Sequence, residues 1–204
     1  MPKVGIKPVR QAQLIEATME SVALYGLQGT TITTISKLAG VSSGIISHYF
    51  GGKQELLEAT VRYLLQSLQR ELLDKLELVE RSDPLRRLEA IIEANFSHLQ
   101  VSDQAAKTWL AFWAQATHDP VFGRLQNVNE KRLLANLRYS LNGLVEQGRL
   151  PKERVEGCAQ SIAALIDGFW LRGALHSKPI NADQAISHCK QYISDLVCPV
   201  STTY

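Results

Sequence analysis

Apolar residues recur at helical spacing along almost the whole 204-residue chain. No region alternates apolar and polar residues for long, so no strand is predicted, and the single Asn-Gly pair, Asn142-Gly143, falls inside a helical pattern. The pattern predicts a first helix over residues 9–25, with Leu14, Ala17, Thr18, Ser21 and Val22 facing inward and Gly26 closing it. Two short helices follow at 33–39 and 42–49, then a long one over 53–78. Asp83-Pro84 opens the next, to about residue 99, with Pro84 at a favoured first position. Ser102 or Asp103 caps another ending near 117, and Asp119-Pro120 starts a long segment to 147, with a candidate break at 127–129. A turn at 148–151 leads to two last helices, 152–176 and 181–197. The chain is expected to be all-α: a three-helix head over 1–52 and a helical body over 53–204, bridged by the long fourth helix.

The segment TITTISKLAGVSSGIISHYF, residues 31–50, reads as a helix-turn-helix. Ile35, Leu38 and Ala39 make an apolar face, Ser36 is small where two helices cross, and Gly40 sits where the chain must reverse. Val41 inserts behind the turn, Ser42 is expected to cap the second helix, and Ile45, Ile46 and Phe50 point back to the core. Ser43, Gly44, Ser47, His48 and Tyr49 remain outward, small or hydrogen-bonding groups of the kind that approach base edges in a major groove. Thr31 and Thr33 are placed to meet phosphates, as is Lys53 at the start of the long helix. The expected DNA contacts are therefore Thr31, Thr33, Ser42, Ser43, Gly44, Ser47, His48, Tyr49 and Lys53, and the partner is a double-stranded DNA operator.

Charge sharpens this slightly. The net charge is only +2, but residues 1–53 hold Lys3, Lys7, Arg10, Lys37 and Lys53 against Glu16 and Glu20, and the rest is nearly balanced. Cys158, Cys189 and Cys198 are scattered, with no metal-ligand spacing, and read as reduced thiols of a cytosolic protein. No metal or other cofactor is expected. The N-terminus lacks the apolar core of a signal peptide, and the longest apolar stretch, 161–175, is interrupted by Asp167 and Arg172, so no membrane partner is expected. A small all-helical enzyme acting on an amine is the rival of another class. Against it, the sequence holds no nucleophile elbow, metal spacing or phosphate loop, and its five histidines have no acid or nucleophile beside them in sequence. No catalytic residue is assigned.

TTITTISKLAGVSSGIISHYFGGKQELLEA resembles the N-terminal signature of TetR-family regulators. Thr31, Ile35, Ser36, Ala39, Gly40, Val41, Ser42, Gly44, Phe50, Lys53 and Leu56 match it. Ser47 and Tyr49 depart from it, standing where that signature commonly has Tyr and His. The variant GIISHYF, with AAKTWLAFWAQATHDPVFGRLQ, RLLANL and ALIDGFWLRGAL downstream, is similar to the BetI-type branch of the family. That resemblance implies a cytoplasmic repressor of genes for choline uptake and glycine betaine synthesis, released from DNA by choline. A TetR-like repressor answering another small apolar or cationic ligand is the alternative, as is a DNA-binding protein with no effector.

Under this resemblance the aromatic residues gain a role. Trp109 and Trp113 share a helix face with Phe112 beside them, and Asp167 and Trp170 share another. A quaternary ammonium has no N–H and is held by aromatic faces, with a carboxylate supplying charge. Trp109, Phe112, Trp113, Asp167 and Trp170 are the expected ligand residues, although large aromatics at this spacing equally make plain core. One recognition helix reads too few base pairs, so a homodimer is expected. The last two helices would form it, with Ala163, Ala164, Gly168, Gly173 and Ala174 permitting close approach and Leu165, Phe169 and Leu175 supplying apolar area.

Overall fold

The computed structural model describes residues 6–176 and 180–197, and among these the regular elements are all helices. They run α1 (Ile6–Gly29), α2 (Ile32–Leu38), α3 (Gly44–Phe50), α4 (Lys53–Glu77), α5 (Pro84–Asn95), α6 (His98–Val101), α7 (Asp103–Ala116), α8 (Pro120–Glu146), a 3-10 turn (Lys152–Arg154), α9 (Val155–Leu175) and α10 (Ala182–Val197). Four helix starts use side chains that the sequence marks. Asp83 accepts from Arg86 N, Ser102 from Ala105 N, Asp119 from Val121 N and Asn181 from Gln184 N, at 2.8–3.2 Å. Each such cap is worth about 1 kcal/mol.

Helices α5 and α8 differ from their sequence patterns. Helix α5 ends at Asn95 rather than near 99. Asn95 Nδ2 donates to the carbonyl of Ile91 at 2.8 Å, and Phe96 leaves helical geometry (φ −112, ψ 22) as its ring is buried. A single turn, α6, follows. Helix α8 runs unbroken through 127–129, because Leu134, Leu137, Leu141 and Leu144 form one buried stripe that outweighs the weak helix propensity of two asparagines.

The chain forms two compact units, one of Met1–Gln66 with Ser102–Gln126, the other of Ser67–Val101 with Asn127–Tyr204. In the first, α1 packs against α2 and α7. Its inner face is the expected one: Leu14, Ala17, Thr18, Ser21 and Val22 are all buried. Gly26 breaks the helix with φ 68. Beyond it Ser21 Oγ donates to Thr30 Oγ1 at 3.2 Å, so the buried hydroxyls are satisfied by one another.

In the second unit, α10 packs on α5 and α9, and Leu88, Ile91 and Ile92 of α5, Ile162 of α9 and Cys189 and Ile193 of α10 are buried. Gly173 is needed for this packing, since a Cβ there would lie 2.6 Å from Ile180 Cγ1. Gly173 and the buried Ala163 therefore serve contacts within the chain, not the outward face that the sequence pattern suggests. Glu93 on α5 meets Lys190 Nζ of α10 at 2.6 Å and Lys75 Nζ of α4 at 3.6 Å. Burial raises the Glu93 pKa, but the two ammonium groups outweigh it and hold the carboxyl below its usual range. Cys158 and Cys189 are free and buried, and burial pushes the Cys189 thiol up to about 11. Cys198 lies outside the described residues. Among the described residues no helix is long and apolar enough to cross a membrane.

Candidate DNA-binding head and aromatic site

Helix α2 starts with a reciprocal capping box. Thr34 N donates to Thr31 Oγ1 at 3.1 Å, and Thr31 N donates to Thr34 Oγ1 at 2.8 Å. Thr31 Oγ1 also reaches Thr34 Oγ1 at 3.3 Å, so a phosphate at Thr31 would share a hydroxyl already engaged in the cap. Thr33 is exposed. Ile35 and Ser36 are buried, and Ser36 Oγ donates to the carbonyl of Ile32 at 2.5 Å, which removes its polarity from the crossing. Gly40 turns the chain at φ 61, where an L side chain would be strained. Val41 N then closes back on Ser36 O at 3.0 Å.

The second helix is capped one residue later than its sequence pattern. Ser43, not Ser42, stands at the N-cap of α3, in helical geometry (φ −59, ψ −29), and makes no side-chain cap bond. Ser42 instead accepts from Ile45 N through its carbonyl, which leaves its side chain outside the helix. Ile46 is fully buried against Leu14, Ala17, Ile35, Ala39 and Leu56, with Ile45, Tyr49 and Phe50 half-buried around it. Ser42, Ser43, Gly44, Ser47 and His48 are all exposed. Tyr49 is drawn inward to the core and meets the His48 ring edge-on at 4.9 Å. Lys53 is half-buried at the first turn of α4. These residues give one short helix with a polar outer face on an apolar base, the geometry of groove reading.

Of the five expected ligand residues, three come together. Trp109, Phe112 and Trp113 on α7 meet Val61 and Leu65 of α4 and Phe122 and Gln126 of α8 around a cavity of about 10 Å³. The Phe112 and Phe122 rings lie 5.2 Å apart. Space of this size is at the limit for one water, so the aromatic site is closed in this state. Its walls are also head structure: Phe112 and Phe122 share one apolar cluster with Val22 of α1 and Leu57 and Val61 of α4. Val61, Leu65, Phe122 and Gln126 are not singled out by the sequence reading, since on α4 and α8 they look like ordinary helix-face residues.

Asp167 and Trp170 belong to the other compact unit. Trp170 is buried. Asp167 keeps contact with solvent and makes no ion pair or hydrogen bond among the described residues. Protein crowded around its carboxyl, then the charge of Glu130 on α8, both push its pKa above the ordinary value. Glu130 is a further residue that the sequence reading misses, because proximity between α8 and α9 has no signal in spacing. Tyr139 lies exposed with the Arg87 guanidinium 5.1 Å from its ring centre, and Phe96 is core.

The fold and the head define the class, a DNA-binding transcription regulator of the helix-turn-helix type. Residues 14–60 match the profile of bacterial regulatory proteins, tetR family, and residues 84–197 match that of the BetI-type transcriptional repressor, C-terminal. The HTH-type transcriptional regulator BetI of Vibrio vulnificus is 48% identical over 185 residues, covering 91% of each chain. The protein of that name from Burkholderia cenocepacia is 45% identical over 197 residues, covering 97% of this chain and 98% of its own. Among solved structures, a Pseudomonas aeruginosa protein assigned as a transcriptional regulator superposes with a TM-score of 0.79 at 30% identity, covering 93% of this chain and 90% of that one. A Saccharomonospora viridis protein, assigned likewise and solved in complex with choline, gives a TM-score of 0.82 at 19% identity over 95% of this chain and 100% of that one, a likeness of fold. The chain belongs to the TetR family, in the branch with the BetI-type repressor domain. It is a DNA-binding transcriptional repressor, not an enzyme.

Proposed function

We propose that this repressor controls genes of choline uptake and glycine betaine synthesis, and leaves its operator when choline binds. The observation that carries this is the aromatic cluster of α7, in a chain whose full-length relatives bear the BetI name. Indole and phenyl faces are what a quaternary ammonium requires, and the structure of the choline-bound relative has the same fold. Asp167, beside Glu130, keeps a carboxyl that no cation among the described residues pairs with. The head would reach DNA through Ser42, Ser43, Gly44, Ser47 and His48, with Thr31, Thr33, Tyr49 and Lys53 at its edges, in the cytoplasm.

The closed cavity suggests how occupancy reaches the head. A choline ion is much larger than the space present, so it must move α7 away from Val61, Leu65 and Phe122. Those residues pack with Val22 of α1 and Leu57 of α4, the helices whose Leu14, Ala17 and Leu56 hold the core of the helix-turn-helix. Binding energy spent on opening would thus favour a head geometry different from that of the closed state, the differential affinity that a population shift needs. A gel shift on DNA upstream of its own gene, at fixed salt, should show a complex that choline dissolves and an apolar drug does not. A complex indifferent to choline would end the proposal.

The operator-binding form is proposed to be a homodimer through α9 and α10. On α9, Gly157, Ala164, Leu171 and Leu175 are exposed at spacings of seven, seven and four residues and share one helix face. Sedimentation at micromolar concentration should find a dimer, and replacing Leu171 and Leu175 by Asp should yield monomers with weakened DNA binding.

A further inference from the structure

Helix α1 holds the helix-turn-helix through a side-chain relay. Arg10 Nη1 donates to Gln13 Oε1 at 2.7 Å, and Gln13 Nε2 donates to the carbonyl of Ala39, the C-cap of α2, at 2.7 Å. The last carbonyls of a helix have no partner within it and carry its negative end. Gln13 satisfies one of them immediately before the turn at Gly40. A carboxamide suits this role, accepting from a guanidinium with one atom and donating to a carbonyl with the other. A glutamate could not donate, and a lysine could not accept.

The relay spends one of the five N–H donors of Arg10. Among the described residues no carboxylate pairs with Arg10 or with Lys37, which stands exposed in the last turn of α2. Arg62, Lys75, Arg86, Lys107, Arg138 and Lys190 have acidic partners, while Arg132, away from the helix-turn-helix, donates to the neutral Gln69 at 2.9 Å. A guanidinium pinned by a neutral side chain keeps its full charge, and fixing it beforehand reduces the ordering cost when an anion arrives. An arginine of this kind, tied to the turn of a DNA-binding motif, suits a phosphate oxygen better than a structural role, which an acid would serve more strongly.

The geometry points to Arg10 as a further phosphate-contacting residue of the DNA-binding head, with Gln13 as the positioning residue that holds it against the α2 carboxyl end. This goes beyond the contacts on α3 and needs no particular operator, because phosphate contacts supply nearly all of non-specific affinity. The full chain should therefore be titrated with mixed-sequence duplex DNA over a range of salt. Arg10→Gln should flatten the slope of log affinity against log salt by about 0.9 for each bound protomer, and Arg10→Lys should restore it. Gln13→Met should weaken binding about two- to tenfold with the slope kept, and should cost nothing further once Arg10 is already Gln. An unchanged slope in Arg10→Gln overturns the phosphate contact. An equal cost of Gln13→Met in both backgrounds makes Gln13 a structural staple and overturns its positioning role.

Discussion

Ile46→Ala is expected to destabilise the DNA-binding head by about 2–5 kcal/mol and to abolish DNA binding under conditions where the parent chain binds. Helix α3 has seven residues, too few to persist in water without tertiary support. Ile46 is its only fully buried side chain and meets α1, α2 and α4 at once through Leu14, Ile35 and Leu56. The half-buried Ile45, Tyr49 and Phe50 cannot replace that anchor, since each packs at the margin of the same cluster. Ser47→Ala, one position on and exposed, makes a control. It should leave stability within about 0.5 kcal/mol while reducing affinity for the operator. Thermal melts and gel shifts on the two variants separate folding from reading. An Ile46→Ala chain that melts and binds like the parent would mean that α3 is held by something other than this core.

The head was legible because its constraints are local. Ile35, Gly40 and Ile46 lie within a dozen residues of one another, and helical periodicity with one reversal fixes their meaning. The same locality explains the good prediction of α4 and of the caps at Asp83, Ser102 and Asp119. Where a side chain chooses between two local hydrogen bonds, the pattern is less decisive. Ser42 and Ser43 are chemically identical candidates, and the tight turn takes the carbonyl of Ser42 and leaves Ser43 at the helix start. Asn95 ends α5 through a bond that sequence spacing permits at many asparagines. Relations between distant helices carry no such signal. Trp109 and Trp113 declare a shared face, but nothing in the sequence joins them to Val61, Phe122 and Gln126, or sets Glu130 near Asp167. Small residues on α9 likewise suggest an outward seam, whereas Gly173 is small to admit Ile180 of the same chain.

Asp167→Asn should weaken the response to choline by at least about tenfold, roughly 1.4 kcal/mol, without disturbing the fold. The side chain keeps contact with solvent and makes no hydrogen bond or ion pair among the described residues, so the isosteric amide removes charge and little else. Crowding by protein is the larger reason for its raised pKa and Glu130 the smaller, so Glu130→Gln should have the weaker effect of the two. The sign of the pH dependence follows. A cation favours the ionised carboxyl, so choline affinity should fall as pH drops through the raised pKa of Asp167, and that part of the profile should vanish in Asp167→Asn. Trp113→Phe tests the aromatic cluster separately. It keeps a ring in a half-buried position, avoiding the large cavity cost of an alanine, and should weaken choline binding at every pH alike. Tryptophan fluorescence titrations of both variants at several pH values would divide charge from aromatic contact. If Asp167→Asn leaves DNA at the same choline concentration and with the same pH profile as the parent, the carboxylates take no part in effector recognition, and the aromatic cluster must hold the cation alone.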